Sequence, residues 1–353
     1  MISRQFDFYF FENFDPESPH PLNPRRVLTP AVSGLLAMTA EGCSWKALCD
    51  AWGEEAVQRV ADCGVLRREG ELAQLDAPVF LREDAAVLSA AFVDDAEKLA
   101  NRLSSVWPTL VKLANELNNG FDASVNLYHI ICGMVLDGAL FGRLSECGAV
   151  ATSRWHVSEL DYIAVAYERC KELDILSRRL LCSWNRAIGE ACVLQSFGDA
   201  DGDRFDAYRW YRLREKGRAK GEFPDREHLT REARRLAETG ICDRACVQAL
   251  SAFGYVENKC LSVPVYRTQD ASTMDAMAEI VCDCLACEIA AILMRGVPDI
   301  TPMKHGLSAK ETANELYHLL FGRLNEVLVS RRMVAEPKAR PGEGRYLQSI
   351  MLL

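Results

Sequence analysis

An eleven-residue stretch occurs twice in this chain and constrains its architecture more than any other feature. Leu127-Tyr128-His129-Ile130-Ile131-Cys132-Gly133-Met134-Val135-Leu136-Asp137 returns as Leu316-Tyr317-His318-Leu319-Leu320-Phe321-Gly322-Arg323-Leu324-Asn325-Glu326. Leu, Tyr, His and Gly recur in register, and an acid follows each Gly four places later. On a helix, residues at i, i+4 and i+8 share one face. The repeat therefore predicts a His129–Gly133–Asp137 face and a His318–Gly322–Glu326 face, with Tyr128 and Tyr317 beside them.

A second match supports the first. Leu75-Asp76-Ala77-Pro78-Val79-Phe80, with Asp84-Ala85 after it, resembles Leu261-Ser262-Val263-Pro264-Val265-Tyr266, with Asp270-Ala271 after it. Two blocks in the same order at nearly the same offset indicate an internal duplication. Two copies of this length imply two related domains rather than a solenoid. A monomer built this way can do what a symmetric dimer of a half-sized chain would do.

A chain of 353 residues is long enough for two or three domains with real cores. Apolar content of 49% and charged content of 26% are ordinary for a globular protein. A net charge of −9 argues against a protein that coats nucleic acid non-specifically, though a local basic face survives such a total. No basic segment followed by an apolar run stands at the start, so a signal peptide is not expected. The most apolar helical run, about 278–294, is interrupted by Glu279, Asp283 and Glu288 and reads as buried rather than membrane-spanning. The 14 cysteines then suggest reduced thiols in a cytoplasm. Cys282, Cys284 and Cys287 are the densest group, but no second CxxC completes a zinc set, and core packing is the expectation.

In chain order, Gln5 to Phe11 is aromatic and strand-like, and 204–211 and 345–351 look similar. The three are candidates for one small sheet tying the halves together. From Pro30 the pattern turns helical: Pro30 to Thr39, then a helix capped by Ser44, then Glu54 to Cys63, ended by Gly64. A hairpin follows, Val65 to Arg68 and Leu72 to Phe80 around Glu69-Gly70-Glu71. Three short helices and a two-stranded wing resemble a winged helix-turn-helix domain. The passage Cys63-Gly64-Val65-Leu66-Arg67-Arg68-Glu69-Gly70-Glu71-Leu72 is similar to the junction of recognition helix and wing in bacterial regulators of the MarR and ArsR type. The resemblance covers about fifty residues and carries no invariant motif. In the second half, Leu229 to Thr239 and Cys242 to Phe253 read as helices and Tyr255 to Tyr266 as a shorter wing. That copy is degenerate, without an obvious first helix. Between the halves, 156–196 reads as linker helices, with Tyr162, Val165, Ala166, Arg169 and Cys170 starting an apolar stripe. Gly198 to Asp203 has the look of a calcium loop but lacks its closing acid, so a solvated turn is expected.

The domain organisation expected is 1–82, an N-terminal strand and first winged helix; 83–150, a first helical segment; 151–202, linker helices; 203–268, a basic segment and second winged helix; and 269–353, a second helical segment and final strand. The fold class is mainly α (α+β), two tandem repeats about a pseudo-twofold with small β-hairpins.

Glycine in mid-helix costs about 1 kcal/mol against alanine, so its repetition suggests close packing. If the His helices cross antiparallel at Gly133 and Gly322, His129 meets Glu326 and His318 meets Asp137. The same four side chains are also ordinary ligands for a divalent metal, or could line an effector pocket with the tyrosines. For DNA, the resemblance implies that the second and third helices and the wing make contact. The candidates are Lys46, Arg59, Arg67 and Arg68 in the first copy and Arg231, Arg234 and Arg235 in the second, with basic residues from Arg209 to Lys220 preceding the latter. No GxSxG, Gly-rich phosphate loop or HExxH is present, so neither an enzyme nor a cofactor is expected. The expected function is that of a cytoplasmic DNA-binding transcriptional regulator. The alternatives are an interaction scaffold whose winged helices lack DNA affinity, with a protein partner, and a sensor of a small molecule or metal.

Overall fold

The computed structural model describes residues 4–12, 18–151, 155–157, 160–177, 182–199, 224–340 and 344–353. The protein is mainly α-helical with several small sheets, and the chain falls into two compact units. Each unit draws on three separate stretches, which a reading in sequential blocks does not anticipate. The first comprises Met1–Val93, Leu144–Ser177 and Glu288–Leu320; the second comprises Asp94–Arg143, Arg178–Cys287 and Phe321–Leu353.

In the first unit, strand Phe6–Glu12 runs antiparallel to Leu160–Glu168, from Phe6 opposite Glu168 to Glu12 opposite Tyr162. The short strand Val79–Phe80 joins the other edge of Leu160–Glu168 in parallel, and Trp155–Val157 forms a hairpin with it. Helices Ser33–Ala40, Trp45–Trp52 and Glu54–Asp62 pack on a three-stranded sheet of Cys43–Ser44, Leu66–Glu69 and Leu72–Leu75. The apolar faces of these helices, Leu35, Leu36, Leu48, Val57 and Val60, form one core with Phe6, Leu75, Val79 and Tyr162. Tyr162 then donates its hydroxyl to the Cys63 carbonyl at 3.0 Å, fastening the helices to the larger sheet. Asp84 is buried, and its carboxylate accepts the Leu81 and Thr301 backbone N–H groups at 2.8 Å each. Residues 309–320 bring a helical segment into this unit, where the Tyr167 hydroxyl donates to the buried Glu315 carboxylate.

The second unit contains related pairings. Cys192–Asp199 lies between Cys182–Ile188 and Gly344–Leu352, all antiparallel, and Val265–Tyr266 pairs in parallel with Gly344–Leu352. Helices Arg226–Thr239 and Arg244–Phe253 and the hairpin Val256–Glu257/Cys260–Leu261 pack on this sheet through Leu229, Ala233, Leu250 and Phe253. Here Tyr255 donates to the Gln195 carbonyl at 2.7 Å. The hairpin turn places Asn258 and Lys259 at φ +51° and +67°, the left-handed pair that closes a two-residue loop. Tyr266 donates to Asn126 at 3.1 Å, a residue supplied by the segment Asp94–Arg143.

Two expectations are corrected. The 151–202 region is not a pair of linker helices: among its described residues are strands Trp155–Val157, Leu160–Glu168, Cys182–Ile188 and Cys192–Asp199 and the short helix Lys171–Ile175. Leu160–Glu168 is buried at every position but Asp161, so its apolar run lacks the alternation that marks a half-exposed strand. The segments 5–11 and 345–351 are strands, but of different sheets. Residues 204–211, the basic residues Arg209 to Lys220 and most of the acidic turn lie outside the described residues. The segment Ala123–Glu146 is long and apolar enough to cross a membrane by composition, with 61% of its most apolar window buried in the fold.

An ion cluster around the buried Asp199 closes the end of the second unit's sheet. Arg345 forks onto Asp199 at 2.6 and 2.9 Å and also pairs with Glu326. Gly198 makes room for this approach, since a Cβ there would lie 1.8 Å from the Arg345 carbonyl oxygen. Burial pushes the Asp199 carboxyl above its ordinary value, against the pull of the guanidinium. Replacing Arg345 with Met leaves a buried carboxylate without its partner. The expected loss is about 3–5 kcal/mol in denaturant unfolding, with part of it recovered by adding Asp199→Asn.

Candidate nucleic-acid interface

Each unit presents a helix whose inner face is apolar and whose outer face meets solvent, and the two differ in charge. In the first unit, Ser44 accepts the Ala47 N–H and starts Trp45–Trp52. Gly53, at φ +83°, turns the chain into Glu54–Asp62. Val57 and Val60 point inward, while Glu54, Glu55, Gln58 and Arg59 are exposed. The acids suit the positive helix N-terminus. They also make this outer face net negative, since Arg59 is outnumbered and Gln58 donates to Asp62 at 2.7 Å. A phosphate backbone would be repelled there.

The other first-unit candidates are engaged by neighbours. Lys46 pairs with Asp50 at 2.8 Å. Arg67 is half-buried and reaches Asp76 at 2.9 Å and the His305 carbonyl at 2.8 Å, so it clamps the hairpin to another part of its own unit. Arg68 donates to the Gly70 carbonyl at 2.9 Å and lies 3.5 Å from Glu71.

In the second unit, Asp225 caps Arg226–Thr239 by accepting the His228 N–H, and Gly240, at φ +73°, ends that helix. Asp243 caps the next helix by accepting the Cys246 N–H at 2.9 Å. Along Arg244–Phe253 the buried positions are Cys246, Ala249, Leu250 and Phe253. The exposed ones include Arg244, Gln248 and Ser251, spaced i, i+4, i+7 on one stripe with alanines beside them. After its cap, this helix carries no acid at all. Of the candidates on the preceding helix, Arg231 is exposed, Arg234 binds Glu238 at 2.9 Å and the Leu353 carbonyl at 3.0 Å, and Arg235 lies 3.4 Å from Glu232. Sequence reasoning named these arginines and missed Arg244 and Gln248. It counted basic residues in runs, whereas the informative signal was a helix face free of acid.

The two His helices differ in their winding. Tyr128–Ala139 winds as a π-helix, with Asp137 at non-helical backbone angles. Tyr128, His129 and Gly133 are buried, and neither ring nitrogen of His129 has a hydrogen-bond partner. Glu326 pairs with Arg345, so the expected His129–Glu326 contact is not formed. Tyr317, His318 and Gly322 are buried as well. His318 belongs to the first unit, where Nδ1 lies 2.7 Å from the Asn314 carbonyl and its ring lies 4.5 Å from that of Phe11. Asp137 belongs to the second. Cys282, Cys284 and Cys287 lie on one helix, buried, half-buried and exposed in turn.

No family model matches the chain, and no curated protein or solved structure matches it.

Burial alone pushes the His129 imidazole down to about 3. The folded protein thus holds this ring neutral, while the unfolded chain takes up a proton near pH 6.5. Between pH 6.5 and about 3 the unfolded state binds the extra proton, so stability falls as the pH falls. The slope from this one group approaches 1.4 kcal/mol per pH unit, as an order of magnitude. His129→Leu removes the titrating group, and the acid side of the stability profile measured by denaturant titration is expected to flatten between pH 6 and 4, where only the unfolded chain carries the extra proton.

Proposed function

We propose that this chain is a non-enzymatic DNA-binding regulatory protein of winged-helix type that contacts duplex DNA through its second unit. The observation that carries the reading is the outer stripe Arg244–Gln248–Ser251 on the second helix of a helix–turn–helix–hairpin segment. Arginine and glutamine are the side chains that make paired hydrogen bonds to guanine and adenine edges in the major groove. A helix of ten residues with one basic and two polar side chains outward suits that groove. Arg231 on the preceding helix and Lys259 at the hairpin turn are placed on the same segment to meet phosphate. The first unit has the fuller set of winged-helix elements, three helices, a short strand and a hairpin, yet its reading-position helix is acidic. In this proposal it serves a structural or partner-binding role. A cytoplasmic location accompanies the reading.

A second reading is favoured by that acidic helix and by the net charge of −9. Both units would then be interaction surfaces for protein partners, without DNA affinity.

Fluorescence titration with random duplex DNA at low and moderate salt separates the two. The regulator reading expects binding that weakens steeply with salt, as counterion release requires. On a duplex selected from the random pool for tight binding, Arg244→Ala with Gln248→Ala is expected to cost about 1–3 kcal/mol, while Arg59→Ala changes little. Absence of binding at low salt would leave the interaction reading.

A further inference from the structure

The hinge between helices Arg226–Thr239 and Arg244–Phe253 gathers three different metal-binding side chains. His228 stands in the first turn of one helix, Asp243 is the cap of the next, and Cys246 follows three residues later. Donor atoms of the three all lie within 4.8 Å of one another. His228 Nε2 is 2.9 Å from Asp243 Oδ2. That carboxylate oxygen is buried, and the His228 ring is its one close polar neighbour among the described contacts. The other oxygen, Oδ1, is spent on the Cys246 N–H and fixes the carboxylate in place. Cys246 is fully buried, while His228 and Asp243 remain 43% and 36% exposed, which leaves a path from solvent.

We propose that His228, Asp243 and Cys246 form a zinc(II)-class metal site that pins the two helices together at their turn. Nitrogen, oxygen and sulfur donors in one small cluster are the set that a four-coordinate zinc accepts. Tetrahedral bonds of about 2.0–2.3 Å put neighbouring donors roughly 3.3–3.6 Å apart. The Nε2–Oδ2 pair has to open slightly and the sulfur to close in, movements within the reach of side-chain rotation. A fourth ligand would be water, reached from the exposed side of the cluster. The carboxylate is held in turn by its surroundings, since the Asp243 N–H donates to Glu232 at 2.8 Å. Support of that kind orients a ligand before the metal arrives.

An ordinary alternative is that Asp243 acts only as a helix cap beside a histidine. The two roles separate by substitution, because serine caps a helix as well as aspartate does but offers no carboxylate. The proposal rests on these side chains alone and not on DNA binding, so either can fail without the other.

The test uses the full-length reduced protein, stripped with a chelator and titrated with cobalt(II), then with zinc(II) in competition. The expected result is one equivalent of cobalt showing thiolate-to-metal charge transfer and the visible bands of tetrahedral coordination, both displaced by zinc. His228→Ala and Asp243→Ser are each expected to weaken binding by more than about tenfold, since losing a direct ligand exceeds the usual cost of losing a supporting one. Both positions are partly exposed, so these variants keep the fold, which circular dichroism checks. Cys246→Ser should abolish the charge-transfer band, and Cys260→Ser, at an exposed thiol in the nearby hairpin, should leave it intact. No thiolate band at one equivalent, or a band unchanged by His228→Ala and Asp243→Ser, overturns the proposal.

Discussion

Two buried polar side chains hold the architecture in register. Asn126 and Glu315 stand three residues before His129 and His318, and each is fully shielded from water. A buried amide or carboxyl costs several kcal/mol unless it is hydrogen-bonded, on the order of what a small domain has in total stability. Each meets a tyrosine hydroxyl, from Tyr266 in one unit and Tyr167 in the other. A helix slipped by one turn would break such a pair. The tyrosines are themselves placed by the parallel strand pairs, Phe80 opposite Tyr167 and Tyr266 opposite Met351. Short strands, buried tyrosines and helix register thus form one connected constraint.

Much of this was legible beforehand. The repeated Pro-Val-aromatic motifs are both short parallel strands, and the segments with hairpin chemistry are hairpins. Ser44 caps its helix, and Gly240 and Gly254 end theirs in the left-handed conformation, as their residue types imply. What was missed has physical causes. Leu160–Glu168 shows no alternation because both of its faces are covered, and Tyr162, Val165 and Ala166 fall by chance at helical spacing. The π winding of Tyr128–Ala139 leaves no mark in residue type. Which helix completes which core depends on long-range packing that no local pattern encodes. Of the candidate site, the helices and most of their arginines were visible, but the neutralising partners of Lys46, Arg67 and Arg234 appear only in three dimensions.

The two units use one kind of outward-facing helix in opposite ways. Glu54–Asp62 satisfies its own N-terminal dipole with glutamates, a locally stable arrangement that forfeits attraction for anions. Arg244–Phe253 leaves that task to its cap, Asp243, and keeps the rest of its outer face free of negative charge. The same carboxylate is the hinge's link to His228 and Cys246. One residue therefore sits where helix start, helix pairing and surface charge meet.

Each unit's core includes a segment from the other half of the sequence: 309–320 in the first, Asp94–Arg143 in the second. During translation the N-terminal sheet and its helices emerge long before Glu315 does. Tyr167 must wait, with its apolar surroundings uncovered, until Glu315, 148 residues later, has left the ribosome. A pause in synthesis between the halves would leave a nascent chain with an incomplete core and a natural need for a chaperone. For the same reason, cutting this gene at its internal repeat should yield two fragments that are sticky alone and regain order only when mixed.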